Sequence, residues 1–247
     1  MGIINLSDTL LIRTLLNLIF VCATFLIGIK IIKKYRTLKK KEFLFLGASW
    51  ILMSSPWWWT IINFFTVIIF DYHLNDWIEL LLANAIIPFA VIFWIYAYSF
   101  SMDLKYKKEF TILISMICLS YESTVLLLLY LNPDLLGYKI DSEIMVRTPL
   151  SFIFAISTAL IIFITGVLFS INSIRSVDRE THLRGYFLLA AFSLITFCAG
   201  FDSFGWENII IIIIIRSLLT LSSILFYFGF FFPITLSKNL ILKEGNQ

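Results

Sequence analysis

Histidine, cysteine and glycine are all scarce in this chain, and each scarcity removes a class of chemistry. Its 247 residues hold two histidines, His73 and His182, and three cysteines, Cys22, Cys118 and Cys198. Membrane haem and zinc centres need imidazole or thiolate ligands grouped at one depth. Both histidines fall in loops assigned below to opposite sides of a membrane, so no cofactor and no metal are expected. The cysteines lie inside apolar runs, where they behave as small apolar residues and imply no disulfide framework. No glycine-rich phosphate loop, nucleophile elbow or paired carboxylates are present, which argues against an enzyme. With 10 glycines, most helix contacts must be large-to-large, through Ile, Leu and Phe. Charge is also sparse, at 14% of residues, and no linker, low-complexity tract or soluble module interrupts the sequence. The apolar runs show no convincing internal repeat, which weakens an inverted-repeat transporter reading.

What the chain has in abundance is apolar surface. Hydrophobic residues make up 60% of it and the mean hydropathy is +0.94, more than a soluble core could hide, so the bilayer is the solvent. A helix needs roughly 20 apolar residues to cross about 30 Å of hydrocarbon. Seven runs qualify, at about 10–30, 43–60 or 43–70, 77–100, 110–131, 149–171, 185–201 and 208–232. The expected fold is a single all-α integral membrane domain, a seven-transmembrane-helix bundle over 1–247.

The loops alternate in charge. Lys30 to Lys41 is crowded with cations, Asp71 to Glu79 carries only anions, and Lys105 to Lys108 is basic. Pro133 to Glu143 is mostly acidic, Arg175 to Arg184 basic, Asp202 to Glu207 acidic, and the tail holds Lys238 and Lys243. Lys and Arg remain on the cytoplasmic side of inserted helices, so the N-terminus is placed outside and the C-terminus in the cytoplasm of a multi-pass cell-membrane protein. Seven cations in the first loop, three in the third, three in the fifth and two in the tail put fifteen of nineteen inside. The net +3 is therefore a membrane dipole and not a nucleic-acid footprint. Lys33, Lys34, Arg36, Lys39, Lys40 and Lys41 could also hold anionic lipid headgroups, each contributing about 1 kcal/mol near the surface. Arg13 precedes its apolar run without a small-residue cleavage site after it, so the first span is expected to persist in the mature protein.

The second run is longer than a bilayer requires, and Pro56 lies in its middle within Ser54-Ser55-Pro56-Trp57-Trp58-Trp59. Either Pro56 kinks one long tilted helix, or the span ends near Trp59 in the interfacial belt and Ile61 to Phe70 folds back as a lid. Three consecutive tryptophans point in three directions, which favours the lid. Pro88 predicts a second kink. Ser151, Ala155 and Ala159 recur every fourth residue and predict a smooth face for close helix packing.

Two ionisable residues fall deep inside spans. Glu122 lies about 14 Å below Leu131 and Arg216 about 12 Å below Asn208, at about 1.5 Å per residue. Buried ions survive by pairing or by lining a wet cavity, so the two are expected to pair or to share a polar network. Such a pair could fix helix register or form a ligand-binding or proton-linked site. Alternatively, Arg216 snorkels to the outer interface and leaves Glu122 alone. Asn17, Asn63, Asn84, Ser157 and Thr196 fall at similar depth in the outer half, with Trp57 and Trp58 beside them, and their convergence would form an outward-facing pocket. Tyr96, Tyr98, Ser99 and Tyr227, toward the cytoplasm, read as packing and interface groups. A retinal pigment is excluded because the last span has no lysine for a Schiff base.

Lys39-Lys40-Lys41 precede a span bearing Trp50, and Pro88 leads through Phe89, Phe93, Tyr96 and Tyr98 to Lys105. These stretches, within Lys39 to Leu113, resemble the seven-helix sensor region found at the N-terminus of some archaeal and bacterial histidine kinases. The resemblance implies a receptor-like or sensory protein that binds a small ligand in its outer half and signals through cytoplasmic loops to a separate partner. A small-solute or proton-coupled transporter and a structural subunit of a membrane complex are the other expectations.

Overall fold

The computed structural model describes residues 8–141, 144–204, 206 and 208–231; the tail cations Lys238 and Lys243, and Glu207, lie outside them. Helix accounts for 85% of it. The helices are α1 (Asp8–Leu38), α2 (Lys41–Leu52), α3 (Trp58–Phe70), α4 (Asp76–Asn84), α5 (Ile87–Ser101), α6 (Lys107–Leu131), α7 (Pro149–Ile174), α8 (Arg179–Asp202) and α9 (Ile209–Phe231). Two strands, β1 (Gly137–Asp141) and β2 (Ile144–Arg147), form an antiparallel hairpin between α6 and α7. Taking α2–α3 and α4–α5 as interrupted pairs, seven segments are long and apolar enough to cross a membrane.

The interruptions follow from the prolines. Pro56 supplies no N–H, and a 3-10 turn over Ser55–Trp57 joins α2 to α3. The helix then resumes to Phe70 and packs along α1. It ends at Asp71, whose φ of 52° is left-handed. In the third segment the helix stops at Asn84 and restarts at Ile87, with Pro88 in its first turn. Pro88 therefore accompanies a break in the helix over Ala85–Ile86.

The segments form a ring. Going round it, α6 meets α5, then α2, α1, α9, α8 and α7. Neighbours in sequence are neighbours in space except at α6 and α7, which hold no substantial common seam. The centre is aromatic. Trp50 stacks on Phe226 at 3.5 Å between centroids, Phe192 meets Phe226 at 5.4 Å, and Trp94 meets Phe192 at 5.0 Å. Trp94 Nε1 donates to Thr165 Oγ1 at 2.7 Å, so the indole's polar edge is satisfied inside the core. Glycine permits one backbone approach: a Cβ on Gly47 would lie 2.5 Å from the Gly28 carbonyl oxygen. Large apolar side chains such as Ile112, Met116 and Leu127 are exposed along α6, as a lipid-facing helix requires.

The cations expected in the first loop are largely helical. α1 continues through Leu38, because its last turns find partners on α9. Lys30 Nζ donates to Tyr227 Oη at 2.6 Å, and Lys34 Nζ donates to the Phe230 carbonyl at 2.9 Å. Lys34 thus turns inward onto a helix C-terminus, while Lys33, Arg36, Lys39, Lys40 and Lys41 are exposed.

Candidate functional site

At the end of the bundle that carries the hairpin, two cavities of about 130 Å³ each adjoin. The first is apolar and lies among α5, α7 and α8, lined by Ile87, Val91, Phe154, Ala155, Ala159, Ile162 and Ile195. The second is polar, with Arg13, Glu79 and Arg216 in its walls. Trp57, Ala83, Asn84, Arg147 and Asp202 line both and form the partition.

The polar partition residues, Trp57, Asn84, Arg147 and Asp202, are each held from a different element. Asp202, at the end of α8, accepts from Trp57 Nε1 at 3.0 Å and pairs with Arg216 Nη1 at 2.8 Å through the same oxygen, Oδ2. The Arg216 guanidinium also lies 5.6 Å from the Trp57 ring centroid, within cation–π range. Phe20 meets the Trp57 ring edge-on at 5.0 Å and fixes its plane. Asn84 is buried at the broken end of α4; its Nδ2 donates to Leu80 O at 2.9 Å. Its Oδ1 accepts from Arg147 Nη1 at 3.2 Å and from Tyr121 Oη at 3.4 Å.

Arg147 is placed by the hairpin. Gly137 pairs with Arg147 across the strands. Thr148 Oγ1 and Ser151 Oγ donate to the carbonyls of Leu135 and Leu136, each at 2.6 Å, and so pin the hairpin base to the start of α7. Burial lowers the pKa of Arg147, while Tyr121, Asp202 and Glu79 act in the opposite direction. A guanidinium remains charged regardless. Among the described residues no carboxylate lies within 4 Å of it, so its one recorded partner is a neutral amide.

Comparison with family models, with curated proteins and with solved structures finds no match. The resemblance to a kinase sensor region therefore gains no family support, and what stands is the seven-helix apolar architecture.

The sequence-predicted residues divide by place. Arg216, Asn84 and Trp57 meet at the cavities, and Thr196 lines the apolar one with its hydroxyl unbonded. The expected Glu122–Arg216 pair is not formed. α6 and α9 stand on different sides of the ring, so Arg216 takes the nearer Asp202. Glu122 shares a buried stripe of α6 with Cys118 and Val125, and its Oε2 has no hydrogen-bond partner. Asn17 is buried on α1 with both side-chain polar atoms unbonded. Asn63 accepts from Leu74 N at 2.9 Å and holds the loop after α3. Trp58 donates to Ser54 Oγ at 2.9 Å and packs against Phe25.

Ser151, Ala155 and Ala159 front the apolar cavity; the close approach to α8 on that side of α7 comes farther along, where Gly166 meets Phe192 and the Ser170 carbonyl faces Gly185. Sequence reading also missed Arg147 and Asp202. A signal for the first existed: Arg13, Lys139 and Arg147 are the three cations on the acidic side of the charge pattern, and two of them line the polar cavity.

Proposed function

We propose that this protein is a receptor-like or sensory seven-helix membrane protein, without enzymatic activity of its own, that binds a small ligand at the hairpin end. The observation that supports it most is the pair of adjoining cavities, one apolar and one charged, divided by Trp57, Asn84, Arg147 and Asp202. Ligand sites combine apolar walls with a few placed polar groups, and this partition has that form. The charge pattern supports an orientation with the hairpin end outside a cell membrane and the exposed cations at the other end, Lys33 and Lys39 to Lys41, on the cytoplasmic side. Signalling would then pass from the cavity through α1 and α9, whose cytoplasmic ends are joined by Lys30 and Lys34, to a separate partner.

The test is thermal unfolding of the purified chain with a panel of ring-sized neutral compounds, since a cavity of about 150 Å³ accommodates benzene. A compound present at about 100 times its Kd stabilises by about 2.7 kcal/mol, and roughly 2–4 °C per kcal/mol for a chain this size makes the shift easy to read. Stabilisation that disappears in Ala155→Phe, which fills the apolar cavity, is the expected result. No stabilisation by any compound, or stabilisation unchanged by the filled cavity, rejects the reading.

A transporter is the second reading, favoured by the helix breaks at Ser55–Trp57 and Ala85–Ile86 beside the cavities. Interrupted helices beside the substrate site mark many transporters. Flux into proteoliposomes that is lost in Arg216→Ala would support it, and inert liposomes would count against it.

A further inference from the structure

We infer that the cavity pair takes a single-chain amphipathic anion, a free fatty carboxylate, which arrives sideways from the hydrocarbon phase between α6 and α7. This rests on the ligand-binding reading above and names the class of ligand. Three independent features point to it.

The first is the head-group position. Arg147 lines both cavities and its recorded partner is the Asn84 amide oxygen, with no carboxylate in reach among the described residues. Asp202 and Glu79 act on this guanidinium from beyond direct contact, and a buried guanidinium with no carboxylate in contact is costly. Its planar fork matches two carboxylate oxygens, and the Tyr121 hydroxyl beside it donates to the same Asn84 oxygen.

The second is the tail position. The chamber beyond Arg147 is walled by Ile87, Val91, Phe154, Ala155, Ala159 and Ile162. At about 130 Å³ it holds only the head-proximal part of one hydrocarbon chain, the rest lying in the adjoining groove of about 300 Å³, and it leaves no room for the two chains of a phospholipid.

The third is a path. A groove lined by Ile114, Ile117, Leu150, Ile153, Ser157 and Ile161 runs between α6 and α7, where the ring of helices has no seam. Ile117 and Ile153 are exposed on the lipid-facing surface. The groove and the apolar cavity share Val91, Tyr121, Phe154 and Thr158. Tyr121 and Phe154 lie face to face at 3.5 Å and 3°, each on one of the two unseamed helices. They form a partition that separates by movement of one helix. A chain following this route never leaves hydrocarbon, and its carboxylate ends at the hairpin end, level with the interface.

The experiment is equilibrium binding of tritiated dodecanoate to the full chain in nanodiscs, corrected by empty discs, with dodecan-1-ol as the uncharged match. Saturable binding of one dodecanoate per chain is expected, with the alcohol at least tenfold weaker. Arg147→Gln should remove that preference and leave the alcohol's affinity unchanged. Ser157→Trp, which obstructs the groove, should slow association at least tenfold. Absence of saturable binding, equal binding of acid and alcohol, or unaltered preference in Arg147→Gln overturns the inference. The acid-versus-alcohol comparison uses the native chain and so survives a variant that fails to fold. If neither chain molecule binds while ring-sized compounds still stabilise the native protein and not Ala155→Phe, the fatty-anion inference falls and the ligand-binding reading stands.

Discussion

Asp202→Asn should be among the most destabilising single-atom changes in the protein, and the geometry says why. The carboxylate oxygen Oδ2 takes both the Trp57 indole N–H, at 3.0 Å, and the Arg216 guanidinium, at 2.8 Å. Asparagine can still accept from Trp57 but cannot neutralise Arg216, whose side chain is only 7% exposed. Leaving one member of a buried pair without its counter-charge costs about 3–5 kcal/mol. Asp202 is itself 23% exposed, so solvent screens part of this and about 2–3 kcal/mol is expected. At about 2–4 °C per kcal/mol, that is roughly 4–12 °C in thermal unfolding of the detergent-solubilised protein. Arg216→Met removes the charge that needs the partner, and the double variant should recover most of the Asp202→Asn loss, a coupling of at least about 1.5 kcal/mol. Losses that add within about 0.5 kcal/mol would show that Asp202 and Arg216 act independently and would refute the partition as described.

Three further outcomes follow from other parts of the molecule. Gly47→Ala should cost about 1–3 kcal/mol in the same assay, because the new Cβ meets the Gly28 carbonyl at 2.5 Å and backbone on both helices must part. Trp57→Phe keeps the apolar contact with Phe20 but deletes the donor to Asp202, a loss of about 1.5–3 kcal/mol for a bond to a charged group; an unchanged melting temperature would discount that bond. Asp178 caps α8 by accepting from Thr181 N and Oγ1, and these hydrogen bonds lower its pKa. A carboxylate depressed in the folded state stabilises above its unfolded pKa and loses that contribution as pH falls through the folded value. Native protein should therefore lose melting temperature between about pH 5 and pH 3 more steeply than Asp178→Ala, and parallel curves would reject the cap's role.

The seven segments were legible because lipid imposes a crude and forgiving code: about twenty apolar residues and a charge at each end. That code reads length and sign, not direction around a helix. Pro56 illustrates the limit. Its lost N–H forecast an interruption, but whether the chain would continue to Phe70 or turn back depended on α1 offering a surface for α3, which no local signal encodes. The stripe of Ser151, Ala155 and Ala159 shows the same gap from the other side. Small side chains permit either a close helix or an empty space: farther along the same face Gly166 meets Phe192 of α8 closely, while at Ser151, Ala155 and Ala159 the space stays open.

The site was least legible where charge reading was most successful. Sorting cations by side treats an exception as noise, yet exceptions are the residues that insertion energetics alone would not retain. Arg13 and Arg147 stand on the acidic side of the pattern and Arg216 stands within a span; all three line the polar cavity. Glu122, equally exceptional and equally deep, does not join them, because α6 presents it to a different part of the ring. Pairing by depth alone therefore matched Arg216 with the wrong acid. Depth fixes one coordinate of a buried charge, and the order of helices around the ring fixes the other. An arginine two turns into α9 and an aspartate at the end of the adjacent α8 satisfy both.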